Sequence, residues 1–114
     1  MTAFRILLIS FFAILLIYTS IVVMEYGLNF VPFALRDAHA MEWPGQFDVD
    51  FLMLLSLSAL WVGWRHQFTA AGLLLGLLAF LGGASFQCIY LLVVSLQAKG
   101  DMREILLGKA RAAA

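Results

Sequence analysis

Residues 67–98 read QFTAAGLLLGLLAFLGGASFQCIYLLVVSLQA, 32 consecutive positions without one charged side chain. As a helix this run would extend about 48 Å, against about 30 Å for the hydrocarbon core of a bilayer. One crossing needs less and two would each be too short. A single helix is expected that tilts, projects beyond the bilayer or bends near Gly82 and Gly83. Working outward, Phe51–Trp64 is uncharged over only 14 residues, so a crossing there must recruit Phe47 to Asp50 and Arg65 to Phe68. Ile6–Met24 gives 19 uncharged positions, about 28 Å of helix. A backbone in lipid must satisfy its own hydrogen bonds, and the alternation of a membrane barrel is missing, so each run is read as a helix. The expected fold is all-α, a single membrane domain over 1–114. It is an integral membrane three-helix bundle with spans near 5–25, 47–66 and 69–97, a polar connection over 26–46 and an interfacial helical tail over 99–114.

Composition agrees. Of the 114 residues 64% are hydrophobic and 12% charged, with a mean hydropathy of +0.99, which excludes most soluble folds and a disordered chain. One cysteine, Cys88, makes no internal disulfide. Seven basic and seven acidic residues cancel without a basic run, so nucleic acid is not an expected partner. Arg5 before an apolar run, with Ala38-His39-Ala40 downstream, has the outline of a secretory signal. The 13 residues between Met24 and Ala38 are too many for that, and the run is read as a membrane anchor.

The connection holds Pro32 and Pro44 and an apolar piece, Leu28–Leu35, expected as a loop packed on the helix ends, with a re-entrant turn or short helix as the alternative. Trp43-Pro44-Gly45 reads as a turn. Trp43, Tyr26, Trp61 and Trp64 are expected as interfacial anchors, and Arg65 with His66 closes the second helix, Arg65 reaching the headgroups. Lys99-Gly100 reads as a stop, and Asp101 with Glu104 as a capping box for a short helix on the membrane surface. Met102, Ile105 and Leu106 share its apolar face, and Arg103, Lys109 and Arg111 meet water or lipid phosphates. With three crossings the tail lies on the side of the first loop. Arg36, Lys99, Arg103, Lys109 and Arg111 then oppose Arg5 and Arg65, favouring a cytoplasmic C-terminus, whereas a dominant first helix would hold the N-terminus inside.

Gly72, Gly76, Ala79 and Gly83 form a small-residue stripe on which another helix can approach closely, within this chain, in a homo-oligomer or in a larger membrane complex. Gln87 lies deep in its span and needs a partner, for which Tyr18, Thr19 and Ser20 are candidates. At the start of the second helix, Asp48 and Asp50 neighbour Glu42, His39, Asp37 and Glu25. Either aspartate serves as a helix cap, or one carboxylate is partly desolvated and carries protons or acts as a general acid. His39 and Glu42 share a helix face but supply two ligands where structural zinc needs four, so no metal and no cofactor is expected. No phosphate loop, nucleophile elbow or His-Glu-x-x-His pair occurs.

Phe47-Asp48-Val49-Asp50-Phe51, Leu60-Trp61-Val62-Gly63-Trp64-Arg65 and Tyr90-Leu91-Leu92 resemble a pattern in small three-span bacterial membrane proteins of unknown function, over Phe47 to Leu92. The resemblance implies a bacterial cytoplasmic membrane and assigns no catalytic role. The expected function is a non-catalytic interaction or accessory subunit among membrane lipids, associating through the small-residue stripe. The alternative is a membrane enzyme or carrier for a lipophilic small molecule using the interfacial carboxylates.

Overall fold

The computed structural model describes residues 1–27 and 30–113. It is all-α, with α1 Thr2–Tyr26, α2 Val31–Ala40, α3 Trp43–Arg65, α4 Ala70–Gln97, α5 Met102–Leu107 and α6 Lys109–Ala113. By length and composition α1, α3 and α4 each suffice to cross a membrane. α1 ends at Gly27, whose φ of 82° is free only to glycine, with its N–H on the Val23 carbonyl. α4 starts at Thr69, whose hydroxyl oxygen accepts from the Gly72 N–H at 3.1 Å as an N-cap.

α4 is not one rod. Gly83 has φ 57° and ψ −140°, outside any right-handed helix. Before it, the neighbours of α4 climb α3: Gly72 lies against His66 and Gly63, Gly76 against the Ala59 carbonyl, and Gly83 against Phe51 and Leu55. After it the order reverses. Gln87 donates to Ser58, and Tyr90 meets Arg65 and His66. A straight helix would hold Gly72 and Tyr90 about 27 Å apart, yet both touch His66. α4 is therefore a helical hairpin with arms over 70–82 and 84–97, each about 20 Å long, turning at Gly82-Gly83. A Cβ on Gly82 would stand 2.6 Å from that of Phe86.

This corrects the expected path of the third apolar run. Folded on itself, neither arm reaches the other side of a hydrocarbon core about 30 Å thick. Returning to its starting level, α4 brings Ser95 to Arg5 at the start of α1, with Gly100 beside Met1. The start of α1, the end of α3, both ends of α4 and the tail thus share one end of the molecule. The expected placement of the tail on the side of the first connection is overturned. One end holds Arg5, Arg65, Lys99, Arg103, Lys109 and Arg111 with Asp101 and Glu104; the other holds Arg36 with Glu25, Asp37, Glu42, Asp48 and Asp50.

Two local expectations also change. Over the connection α2 forms where a loop was expected, opened by Pro32 in its first turn, where a missing N–H costs nothing, and ended by Met41 at φ 57°. Leu28, the start of that apolar piece, lies outside the described residues. α2 lies on α3, where Gly45 lets the Asp37 carbonyl approach with no Cβ between them, and Phe33 meets Tyr26 edge-on at 6.0 Å. Trp43-Pro44-Gly45 forms the first turn of α3 instead of a free turn, again with proline near the helix start. The core joins Val62 of α3, Ala79, Tyr90, Val94 and Ala98 around α4, and Ile105 of α5, flanked by Trp61, Leu75, Phe86 and Leu91.

Candidate functional site

Polar chemistry concentrates at the basic end, where α3 stops. A helix terminus leaves its last carbonyls without intrahelical donors, and α5 is so short that its end dominates it. Donors from α3 meet the carbonyls of this end, that of Glu104 shared with the Gly108 N–H. The Arg65 guanidinium gives Nε–H to the Ile105 carbonyl at 2.6 Å and an Nη2–H to that of Glu104 at 3.1 Å; Trp61 Nε1–H goes to Leu106 at 3.1 Å. The positive charge also faces the negative end of the α5 dipole. Gly108 then turns the chain at φ 86°, where a Cβ would stand 2.8 Å from the Arg65 carbonyl oxygen. Beyond it, Arg111 stacks over Trp64 at 4.0 Å and donates to the Trp64 carbonyl.

Arg65 also donates an Nη1–H to the Tyr90 hydroxyl at 3.2 Å, and that hydroxyl lies 2.6 Å from His66 Nε2. Burial and the Arg65 charge both lower the His66 pKa, so the ring is neutral at pH 7. The Tyr90 hydroxyl, which accepts from Arg65, thus shares a second hydrogen bond with Nε2, its direction set by the imidazole tautomer. At the far edge Arg5 donates to the Ser95 hydroxyl and carbonyl at 3.1 and 3.0 Å. These groups spend their hydrogen bonds on one another and on backbone, which ties the hairpin, the tail and α1 together.

The sequence-level candidates separate accordingly. Arg65 and Trp61 are turned onto the tail instead of standing free as anchors, Trp64 is covered by Arg111, and Trp43 remains 81% exposed at the acidic end. The tail is no free surface helix, since Ile105 is 0% exposed. Asp101 accepts from Arg103 N–H at 3.1 Å, but its own N–H goes to the Ala98 carbonyl, so only half of the capping box forms.

At the acidic end, Glu42 holds the cap position of α3 without a side-chain bond, and Asp48 and Asp50 lie inside the helix, so neither aspartate caps it. Met41 breaks the helix between His39 and Glu42, so they share no helix face. Glu42 and Asp50 line one open depression of about 700 Å³ with Ala38, Met41 and Gln46; His39 and Asp48 lie outside it. Among the described residues no three His, Cys, Asp or Glu side chains converge on a metal position.

Gly72, Gly76, Ala79 and Gly83 are all buried. Gly72, Gly76 and Gly83 face α3, so the stripe is spent inside the chain and is not an open docking face. Gln87 finds Ser58 of α3, not Tyr18, because the hairpin turns it toward α3. Tyr18 is 69% exposed and makes no hydrogen bond to another described residue. The hairpin that sets these contacts was foreshadowed only by Gly82-Gly83; the Arg65–Tyr90–His66 chain had no motif of its own. Compared with protein families, curated proteins and solved structures, the chain matches none.

Proposed function

We propose that this protein is a non-catalytic interaction or accessory subunit of a bacterial cytoplasmic membrane, meeting its partner through α1. Tyr18 carries this reading. α1 has Leu8 as its single buried residue among those described, and Tyr18 stands about 6 Å from the helix midpoint. An unpartnered phenol at that depth is costly in hydrocarbon and favours a second protein helix. Thr19 and Ser20 extend the polar patch, Ser20 bonding back to the Leu16 carbonyl at 2.7 Å. The partner is a second copy or another integral membrane protein.

The same reading sets the orientation. α1 and α3 cross, α4 dips in and returns, and six of the seven basic side chains collect at the end bearing both termini. The positive-inside rule then puts both termini in the cytoplasm.

The test replaces Tyr18 by a photo-cross-linking phenylalanine analogue in native membranes. The expected product is one adduct of defined mass, equal to two copies or to the chain plus one integral protein, and Tyr18→Leu shrinks the mild-detergent assembly. Lipid adducts alone, with an assembly of monomer size, would overturn the proposal.

A further inference from the structure

The two ends of the molecule differ in girth. α1 and α3 both pack on α4 and hardly on each other, and α4 turns back at Gly83. Ser95 lies beside Arg5, so the turn sits level with Ile17 of α1, about 18 Å further along. On α3 the turn meets Phe51 and Leu55. Past that level, among the described residues, no third helix stands between α1 and α3 short of α2. Exposure follows the same boundary. From Leu16 to Tyr26 every residue but Val23 is exposed, and from Gln46 to Leu54 every residue but Asp48, whereas Leu8, Val62, Tyr90 and Val94 toward the basic end are buried. α2 meets the first turn of α3 at Gly45, and the tail meets its last turn at Arg65, so each rim carries its own short helices.

Arms of about 20 Å fill the leaflet at the basic end and stop about 10 Å short of the opposite boundary of the hydrocarbon core. Four helical rods, α1, α3 and both arms of α4, thus cross the first leaflet, and α1 and α3 alone cross the last stretch of the second. Each rod is about 10 Å across, so the chain takes roughly twice the area at one level that it takes at the other. A flat bilayer must draw acyl chains into the space beneath the turn, at an elastic cost. Bending the bilayer so that the basic end lies on the convex face widens that leaflet, narrows the other and relieves the cost. From this shape, and resting on the membrane reading above but not on the Tyr18 partner, we propose that the chain is a wedge that collects in strongly bent membrane, its basic end on the convex leaflet. With both termini in the cytoplasm, such places are those where the membrane bulges into the cytoplasm.

The experiment places the full chain in giant vesicles of phosphatidylcholine, which carries no net charge for the basic end to follow. In a Cys88→Ser background, Ala113→Cys or Gln46→Cys is labelled from outside with a membrane-impermeant maleimide dye, so the first marks copies with the basic end outward and the second those with the acidic end outward. A narrow tube is then drawn from the vesicle, its outer leaflet convex. Dye density in the tube relative to the parent vesicle is expected to be about threefold higher for the Ala113→Cys label than for the Gln46→Cys label, and to diverge further as the tube narrows. Equal sorting of the two labels would overturn the proposal, as would enrichment of the acidic-end label. Met102→Ser/Leu106→Ser, which strips exposed apolar side chains from α5, should keep the sorting; its loss would place the cause in the tail surface and overturn the hairpin wedge. Release of the protein from vesicles by carbonate would instead overturn the membrane reading, an outcome the sorting arms do not mimic.

Discussion

The Tyr90 hydroxyl lies 2.6 Å from Nε2 of His66, and His66 also packs on Gly72, eighteen positions before Tyr90 in the same apolar run. One side chain touching both arms of α4 defines the hairpin. The bond is also exchangeable by mutation. Tyr90→Phe removes the hydroxyl and leaves an Arg65 donor and His66 Nε2 without their partner, so a loss of about 1–2 kcal/mol in unfolding free energy is expected in detergent denaturation.

Arg65 serves the tail as well as Tyr90. Arg65→Gln shortens the side chain and removes the guanidinium donor from the Ile105 and Glu104 carbonyls, the latter keeping the Gly108 N–H. Limited proteolysis should then cut between α4 and α6 several times faster than in the parent, with α1 and α3 unaffected. Unchanged cleavage would show that Ile105, the Trp61 bond to Leu106 and the Arg111 contact with Trp64 hold the tail without Arg65.

Gly108 combines a positive φ with close contact to the Arg65 carbonyl. Gly108→Ala adds backbone strain and a clash, with an expected cost of about 1–3 kcal/mol. Hydrogen exchange should show faster exchange confined to α5 and α6. Gly27→Ala, where φ is 82° but no atom stands within 4 Å of the added Cβ, should cost less.

His66 gives the fold a pH dependence of fixed sign. Burial and Arg65 hold its pKa below the ordinary value of 6.5, so the unfolded chain binds the proton more readily than the folded one. Its contribution is complete above about pH 6.5 and is lost as pH falls through the lowered folded value. The thermal midpoint should drop between pH 7.5 and pH 5, and His66→Gln should flatten that part of the profile.

What the sequence disclosed and what it hid divide along one line. Uncharged length and the demand of lipid for internally bonded backbone identify helices, and α1 and α3 lie where Ile6–Met24 and Phe51–Trp64 put them. Gly82-Gly83 marked the bend, but the pattern of apolar residues is the same for a bent crossing and a full reversal. The difference lies in long-range contacts such as Gln87 to Ser58. The helix within the connection was masked by Pro32, which a first helical turn accommodates as readily as a loop does. The acidic residues were neighbours in sequence, yet Met41 at φ 57° turns His39 away from Glu42. Arg65 is an ordinary helix-ending cation until the tail returns to it.

The reversal at Gly83 is tested most directly by asking on which side of the membrane each terminus lies. Single cysteines from Thr2→Cys and Ala113→Cys, placed in a Cys88→Ser background, are exposed to a membrane-impermeant maleimide in sealed spheroplasts and in inverted vesicles. Both should be protected in spheroplasts and labelled in inverted vesicles, since the hairpin returns the chain to the face it entered. Labelling of one terminus from each side would mean that residues 67–98 pass through the bilayer, contradicting the fold-back.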